Sequence, residues 1–143
     1  MRGGKLGRIV AAICCGFIVN FGVWVAATGA IWRFFSALPD PANAAAASIV
    51  PVLLVLASSM GAFAGSVLAL LIAQRYRWIA YAAVVPGVGG AIIDLMTLPD
   101  LDPSHFQLLP HPTWMLRAQI VVPVLLAWLA ARVVPANALA TPG

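Results

Sequence analysis

Asp94 is the one acidic residue that falls inside a long apolar stretch, which makes it the first candidate for chemistry. A carboxyl group at membrane depth needs a partner or a function, because burying a lone charge is costly. Arg117 lies about as far inside the next apolar stretch, and Arg33 ends the first one. This spacing predicts an intramembrane ion pair between Asp94 and Arg117, with Arg33 on the same side. A proton or cation relay through Asp94 is the alternative.

The segment from Pro99 to Pro112 is the most polar part of the chain and holds a second set of candidates. Carboxylate and imidazole groups can hold zinc or copper, but their spacing here matches no known ligand signature. Four prolines in the segment favour a rigid surface loop. A metal site and a solvated cap both remain open for four residues: Asp100, Asp102, His105 and His111.

The remaining polar residues offer little for catalysis. Haem bound between spans would need histidine at depth, whereas both histidines lie in the polar segment. The serines at 58, 59 and 66 have no histidine or lysine in the apolar stretches to activate them. We therefore expect a protein without enzymatic activity and without a cofactor.

Composition defines the setting in which these residues lie. The chain of 143 residues is 63% apolar and 8% charged, contains no Glu, and has a mean hydropathy of +1.01. Soluble domains carry about 25% charged residues, so this composition predicts an integral membrane protein. The pI near 9.8 comes from basic residues at the ends of apolar runs, which excludes a nucleic-acid-binding surface.

The charges divide the chain into four apolar runs. The first run without charge covers 24 residues from Ile9 to Trp32, enough for one bilayer crossing. The pattern predicts an all-α fold, a bundle of four transmembrane helices at about 9–33, 43–74, 77–98 and 113–134. In the third of these, the sequence Pro86-Gly87-Val88-Gly89-Gly90 predicts either an interruption or a kink.

Positive charges predict the orientation. With four spans, two of the eight Lys and Arg residues, Arg33 and Arg117, fall on one face and six fall on the other. The positive-inside rule makes the face with six cytoplasmic. Both termini are then cytoplasmic, in the inner membrane of a bacterial cell. The six are Arg2, Lys5, Arg8, Arg75, Arg77 and Arg132.

A stripe of small residues marks the second span. Small residues four positions apart let membrane helices approach closely, and Asn20 of the first span is suited to a hydrogen bond with another helix. The stripe predicts either packing within the bundle or a seam for a second copy or a larger partner. Its members are Ala57, Gly61, Gly65, Ala69 and Ala73.

The two halves of the chain resemble each other. The sequence IVPVLL at 49–54 matches VVPVLL at 121–126, and Leu-Pro-Asp occurs at 38–40 and again at 98–100. These matches predict two helical hairpins repeated in parallel orientation, although the small alphabet of membrane helices also produces such matches by chance.

Three stretches of the sequence resemble a known pattern: GAFAG at 61–65, GGAIIDLM at 89–96 and PHPTW at 110–114. They resemble an uncharacterised bacterial family of small four-span membrane proteins over the second to fourth spans. In that family Asn is frequent at the position of Asp94, and the loop before Pro110 is shorter. The resemblance implies a fold and a membrane location, but no reaction.

Three functions fit these observations. The first is a non-catalytic accessory or scaffold subunit of a membrane complex, with the lipid bilayer and either a protein partner or further copies of the chain as its partners. The second is a small oligomeric transporter. It would resemble the small multidrug-resistance exporters in size and span count, but those use a Glu in the first span. The third is a metal or redox protein built on the polar segment.

Overall fold

The computed structural model describes residues 3–36, 40–73, 76–97 and 113–134, which lie in α-helices or in short turns beside them. This part of the chain contains no strand. Its five helices are α1 (Gly3–Ser36), α2 (Asp40–Ala73), α3 (Ile79–Ala82), α4 (Val85–Thr97) and α5 (Thr113–Val133).

The helices follow the apolar runs of the sequence. Three segments are long and apolar enough to cross a bilayer: Gly4–Phe35, Ile49–Ala73 and Thr113–Val133. The helix α4 is apolar but has only 13 residues. Both α1 and α2 begin before the predicted boundaries of 9 and 43, since helical structure continues beyond the apolar run. The fold is therefore all-α, and its apolar helices are compatible with a membrane location.

The helix predicted over 77–98 is instead two helices, α3 and α4, which are separated by a turn at residues 83 and 84. Pro86 gives the physical reason. Its nitrogen carries no hydrogen to donate to the Ala82 carbonyl, and its ring crowds the preceding turn. The interruption thus lies just before the Pro-Gly sequence rather than within it.

A side chain from α2 compensates for the interrupted backbone. The Val84 N–H donates to the Tyr81 carbonyl oxygen at 3.1 Å, whereas in a continuous helix it would donate to Ala80. The hydroxyl of Ser66, which is fully buried, donates to that Ala80 oxygen at 3.0 Å. Without Ser66, a buried carbonyl would lose this hydrogen bond.

The helix directions alternate along the chain. Ala12 near the start of α1 packs with Ala73 at the end of α2, so these two helices are antiparallel. Val50 early in α2 packs with Met115 early in α5, which makes α2 and α5 parallel. Leu95 near the end of α4 also packs beside Met115, so α4 is antiparallel to α5. The helix α2 contacts α1, α3 and α5 and forms the centre of the bundle.

The small-residue stripe of α2 lies against α1. A Cβ atom added at Gly61 would lie 2.6 Å from the Asn20 carbonyl oxygen, and one added at Gly16 would lie 2.7 Å from the Gly65 carbonyl oxygen. Because these neighbours are backbone atoms, the two helices are as close as glycine allows. All five stripe residues are buried: Ala57, Gly61, Gly65, Ala69 and Ala73.

Candidate ligand-binding site

A cleft of about 290 Å³ lies between α1, α2, α4 and α5. It exists because α4 packs on α5 and has very few contacts with α1 and α2. The residues that α4 presents to the cleft include Gly87, Gly90 and Ala91, which have little or no side chain to fill the space. The cleft therefore stays partly open.

Three aromatic rings of α1 form one wall of the cleft. The residues Phe17, Phe21 and Trp24 recur at helical spacing and therefore lie on one face. The rings of Phe17 and Phe21 stack with centroids 5.9 Å apart, and Phe21 and Trp24 are also 5.9 Å apart. Phe21 lines the cleft and keeps 53% of its surface exposed, so its ring is not covered by the other helices.

Asn20 lies at the base of this wall and is the most buried polar group in the cleft, with 9% of its surface exposed. A Cβ atom added at Gly61 would lie 2.8 Å from its Oδ1 atom, and one added at Gly87 would lie 3.9 Å from its Nδ2 atom. The side chain thus lies between α2 and α4. Its amide group occupies the space that Gly61 of α2 and Gly87 of α4, which have no side chains, leave between these helices.

Further polar groups come from the other three helices. Asp94 of α4 and Gln119 of α5 both line the cleft, as does Ser58 of α2. The Ser58 hydroxyl donates to the Val55 carbonyl oxygen of its own helix at 2.9 Å. Asp94 is exposed and is the one ionisable side chain among the residues that the structure places around the cleft. The site is therefore apolar and aromatic, with one carboxylate and two amides.

The basic residues predicted to pair with Asp94 are not among the residues that line the cleft. Arg117 is exposed on α5, two residues before Gln119. Two residues correspond to about 200° around a helix, so Arg117 lies on the face of α5 away from the cleft. Arg33 is exposed near the end of α1. The ion pair of Asp94 with these residues stays a prediction.

The predicted metal ligands, Asp100, Asp102, His105 and His111, lie outside the described residues. Within the described ranges, no three His, Cys, Asp or Glu side chains are grouped as a metal site would require. The metal site in the polar segment therefore stays a prediction.

Sequence reasoning singled out Asn20, Asp94 and the Pro86–Gly90 sequence, but it missed the aromatic wall and Gln119. The spacing of Phe17, Phe21 and Trp24 is a signal that could have indicated an aromatic face. Gln119 is an amide within an apolar helix, which could also have been noticed. Neither signal shows that α1 and α5 line the same cleft, because the cleft depends on the position of α4.

Comparisons with known proteins give no relative from which a function can be transferred. No family model matches the chain, and neither the curated proteins nor the solved structures yield a match.

Proposed function

We propose that the protein is a small multi-pass membrane transporter that binds its substrate in the cleft between α1, α2, α4 and α5. The observation that carries this proposal is the set of polar side chains, Asn20, Asp94 and Gln119, around an unfilled space between apolar helices. Polar groups at membrane depth face a bundle interior or a water-filled cavity and mark substrate pathways. No covalent step is part of this function.

The way α4 is attached supports movement of the substrate as well as its binding. The turn at residues 83 and 84 separates α4 from α3, and α4 packs mainly on α5. A short helix held on one side can tilt about such a turn, because few packed contacts oppose the motion. Tilting of α4 would open or close the cleft, since α4 contributes Gly87, Gly90 and Asp94 to it.

The accessory-subunit hypothesis depends on a surface that is free to dock a partner. The small-residue stripe of α2 was the candidate for this surface, but Gly61 and Gly65 contact α1 of the same chain. The packing therefore favours the transporter over a subunit that docks through the stripe. A subunit of that kind would retain a larger complex on purification in mild detergent.

The location is part of the same proposal. The resemblance to small bacterial four-span proteins and the bias of six basic residues against two support the inner membrane of a bacterial cell. Both termini would be cytoplasmic.

Cysteine accessibility tests the proposal. In a background in which Cys14 and Cys15 are replaced by Ala, we compare Gly90→Cys, which lines the cleft, with Gly89→Cys, which does not. A Cβ atom at either glycine meets nothing within 4 Å, so neither change should disturb packing. A membrane-impermeant thiol reagent is added to intact cells and, separately, to inverted vesicles, and labelling is followed by mass spectrometry.

A transporter whose cleft opens alternately predicts that Gly90→Cys reacts from both faces, while Gly89→Cys reacts from neither. Reaction of Gly90→Cys from one face only would overturn transport and leave a fixed binding cleft. No reaction from either face, or equal reaction at both positions, would overturn the aqueous cleft itself.

A further inference from the structure

We infer that the cleft binds a small organic cation, namely an ammonium group carried on a compact apolar or aromatic body. This inference rests on the proposed function and names the class of substrate. It is drawn from the pairing of a single carboxylate with an aromatic wall in one confined space.

The charge of the residues that line the cleft determines the sign of the charge that a ligand should carry. Asp94 is its one ionisable group among the described residues, and no Lys or Arg lines it. The carboxylate of Asp94, exposed at an otherwise uncharged cleft, attracts a cation and repels an anion, because opposite charges attract and like charges repel. A ligand of matching positive charge would neutralise Asp94 at membrane depth.

The aromatic wall selects the kind of cation. The ring faces of Phe17, Phe21 and Trp24 carry negative partial charge, which favours an ammonium group within about 6 Å of a ring centroid. The same rings provide apolar surface for the body of the ligand. A bare metal ion gains little from this wall, because it would exchange its hydration shell for hydrocarbon. An organic ammonium ion suits both the carboxylate of Asp94 and the aromatic wall.

The size of the cleft and its amides narrow the class further. A volume of about 290 Å³ lies just below the usual range for ligand pockets, which is about 300–1,000 Å³. The ligand is thus smaller than most drug molecules. The amides of Asn20 and Gln119 can both donate and accept hydrogen bonds, so they suit ligands that also carry a hydroxyl or amide group.

Three probes of similar shape test the inference. Benzyltrimethylammonium is the cation, phenylmethanesulfonate is the anion, and neopentylbenzene is the neutral isostere of the cation. Each is measured by equilibrium dialysis against the full chain in detergent micelles, with empty micelles subtracted. We expect the cation to bind at least about tenfold more tightly than the anion, which corresponds to about 1.4 kcal/mol. The neutral probe should also bind more weakly than the cation.

Variants connect this binding to the residues named. Asp94→Asn keeps the side-chain shape but removes the charge, so it should reduce affinity for the cation about tenfold or more. Asp94→Glu keeps the negative charge and should therefore bind the cation more tightly than Asp94→Asn does. Asp40→Asn, at the first residue of α2, removes the same charge elsewhere in the chain and should have no effect. Phe21→Leu should reduce affinity several-fold, while Phe34→Leu, near the end of α1, should not.

The outcomes separate the ligand class from the function. If the anion binds as well as the cation, or if Asp94→Asn and Asp40→Asn behave alike, the cation assignment is wrong. The transporter proposal then still stands on the labelling of Gly90→Cys. If Asp94→Asn unfolds, the comparison of the three probes on the unaltered chain decides alone. If Gly90→Cys reacts from one face only while the cation binds selectively, the binding site stands and transport fails.

Discussion

Helices α1 and α2 approach each other closely at Gly16 and Gly65, where backbone meets backbone. A Cβ atom added at Gly16 would lie 2.7 Å from the Gly65 carbonyl oxygen and 2.8 Å from the Ala69 Cβ. One added at Gly65 would collide with the Gly16 carbonyl oxygen and lie 3.0 Å from the Asn20 Cβ. A backbone atom cannot change rotamer to make room, so a side chain here must separate the helices.

We predict that Gly65→Ala lowers the free energy of unfolding by about 1–3 kcal/mol, the usual effect of overpacking a tight contact. The measurement is unfolding in mixed micelles as sodium dodecyl sulfate is added, followed by circular dichroism. Gly22→Ala is the matched control, because nothing lies within 4 Å of a Cβ added there. It should be neutral or stabilising by up to about 1 kcal/mol, since Ala favours helix over Gly. Equal effects at both positions would contradict the close packing.

At the scale of the element, the interruption between α3 and α4 receives one side-chain hydrogen bond from another helix, α2. The Ser66 hydroxyl donates to the Ala80 carbonyl oxygen at 3.0 Å, and Ser66 is fully buried. Ser59 of the same helix is also buried, but its hydroxyl donates to the Val55 carbonyl oxygen of its own helix at 2.6 Å. The two serines thus differ in what they stabilise.

We predict that Ser66→Ala destabilises the protein by about 1–3 kcal/mol, because a buried carbonyl loses its donor. Ser59→Ala should change stability little, since the Val55 carbonyl keeps its helical environment. Amide hydrogen exchange provides a local readout. In Ser66→Ala, exchange should increase at residues 79–84 and remain unchanged in the first half of α2. If amide exchange at residues 79–84 is the same in Ser66→Ala and Ser59→Ala, the hydrogen bond from Ser66 to Ala80 does not stabilise the turn.

The interruption also shows where sequence reasoning ends. The apolar runs predict the helices well, and the small-residue stripe predicts which face of α2 is packed. Pro86 indicates that something happens in the third run, but not that the turn falls at residues 83 and 84. The turn at that position is stabilised by a hydrogen bond from Ser66, which comes from another helix and cannot be read from the third run. The cleft is missed for the same reason, since it is a space that four helices leave between them.

For the whole molecule, the number of bilayer crossings is a prediction that the arrangement of α3, α4 and α5 makes testable. Residues 79–97 contain α3 and α4, and a continuous helix of that length would span about 28 Å. This is close to the hydrocarbon thickness of about 30 Å. Four crossings and cytoplasmic termini are the arrangement that the charge bias predicts.

The packing of α4 on α5 makes this arrangement testable with two residues. Leu95 packs against the hydrophobic cluster that contains Met115, whereas Val84 belongs to the same cluster as Ala127. Arg77 and Arg117, both exposed, therefore lie at opposite ends of this helix pair. If α3 and α4 together cross the bilayer, these two positions are on opposite faces of the membrane.

We predict that Arg77→Cys, in the background without Cys14 and Cys15, reacts with an impermeant thiol reagent in inverted vesicles only. Arg117→Cys should react in intact cells only, and a green fluorescent protein fused to the C-terminus should fluoresce, as it does in the cytoplasm. Labelling of both positions from one face would mean that α3 and α4 do not cross. The reverse pattern, with a non-fluorescent fusion, would mean that the six basic residues do not determine the orientation. Because the helix pair fixes the two positions relative to each other, the two failures cannot be confused.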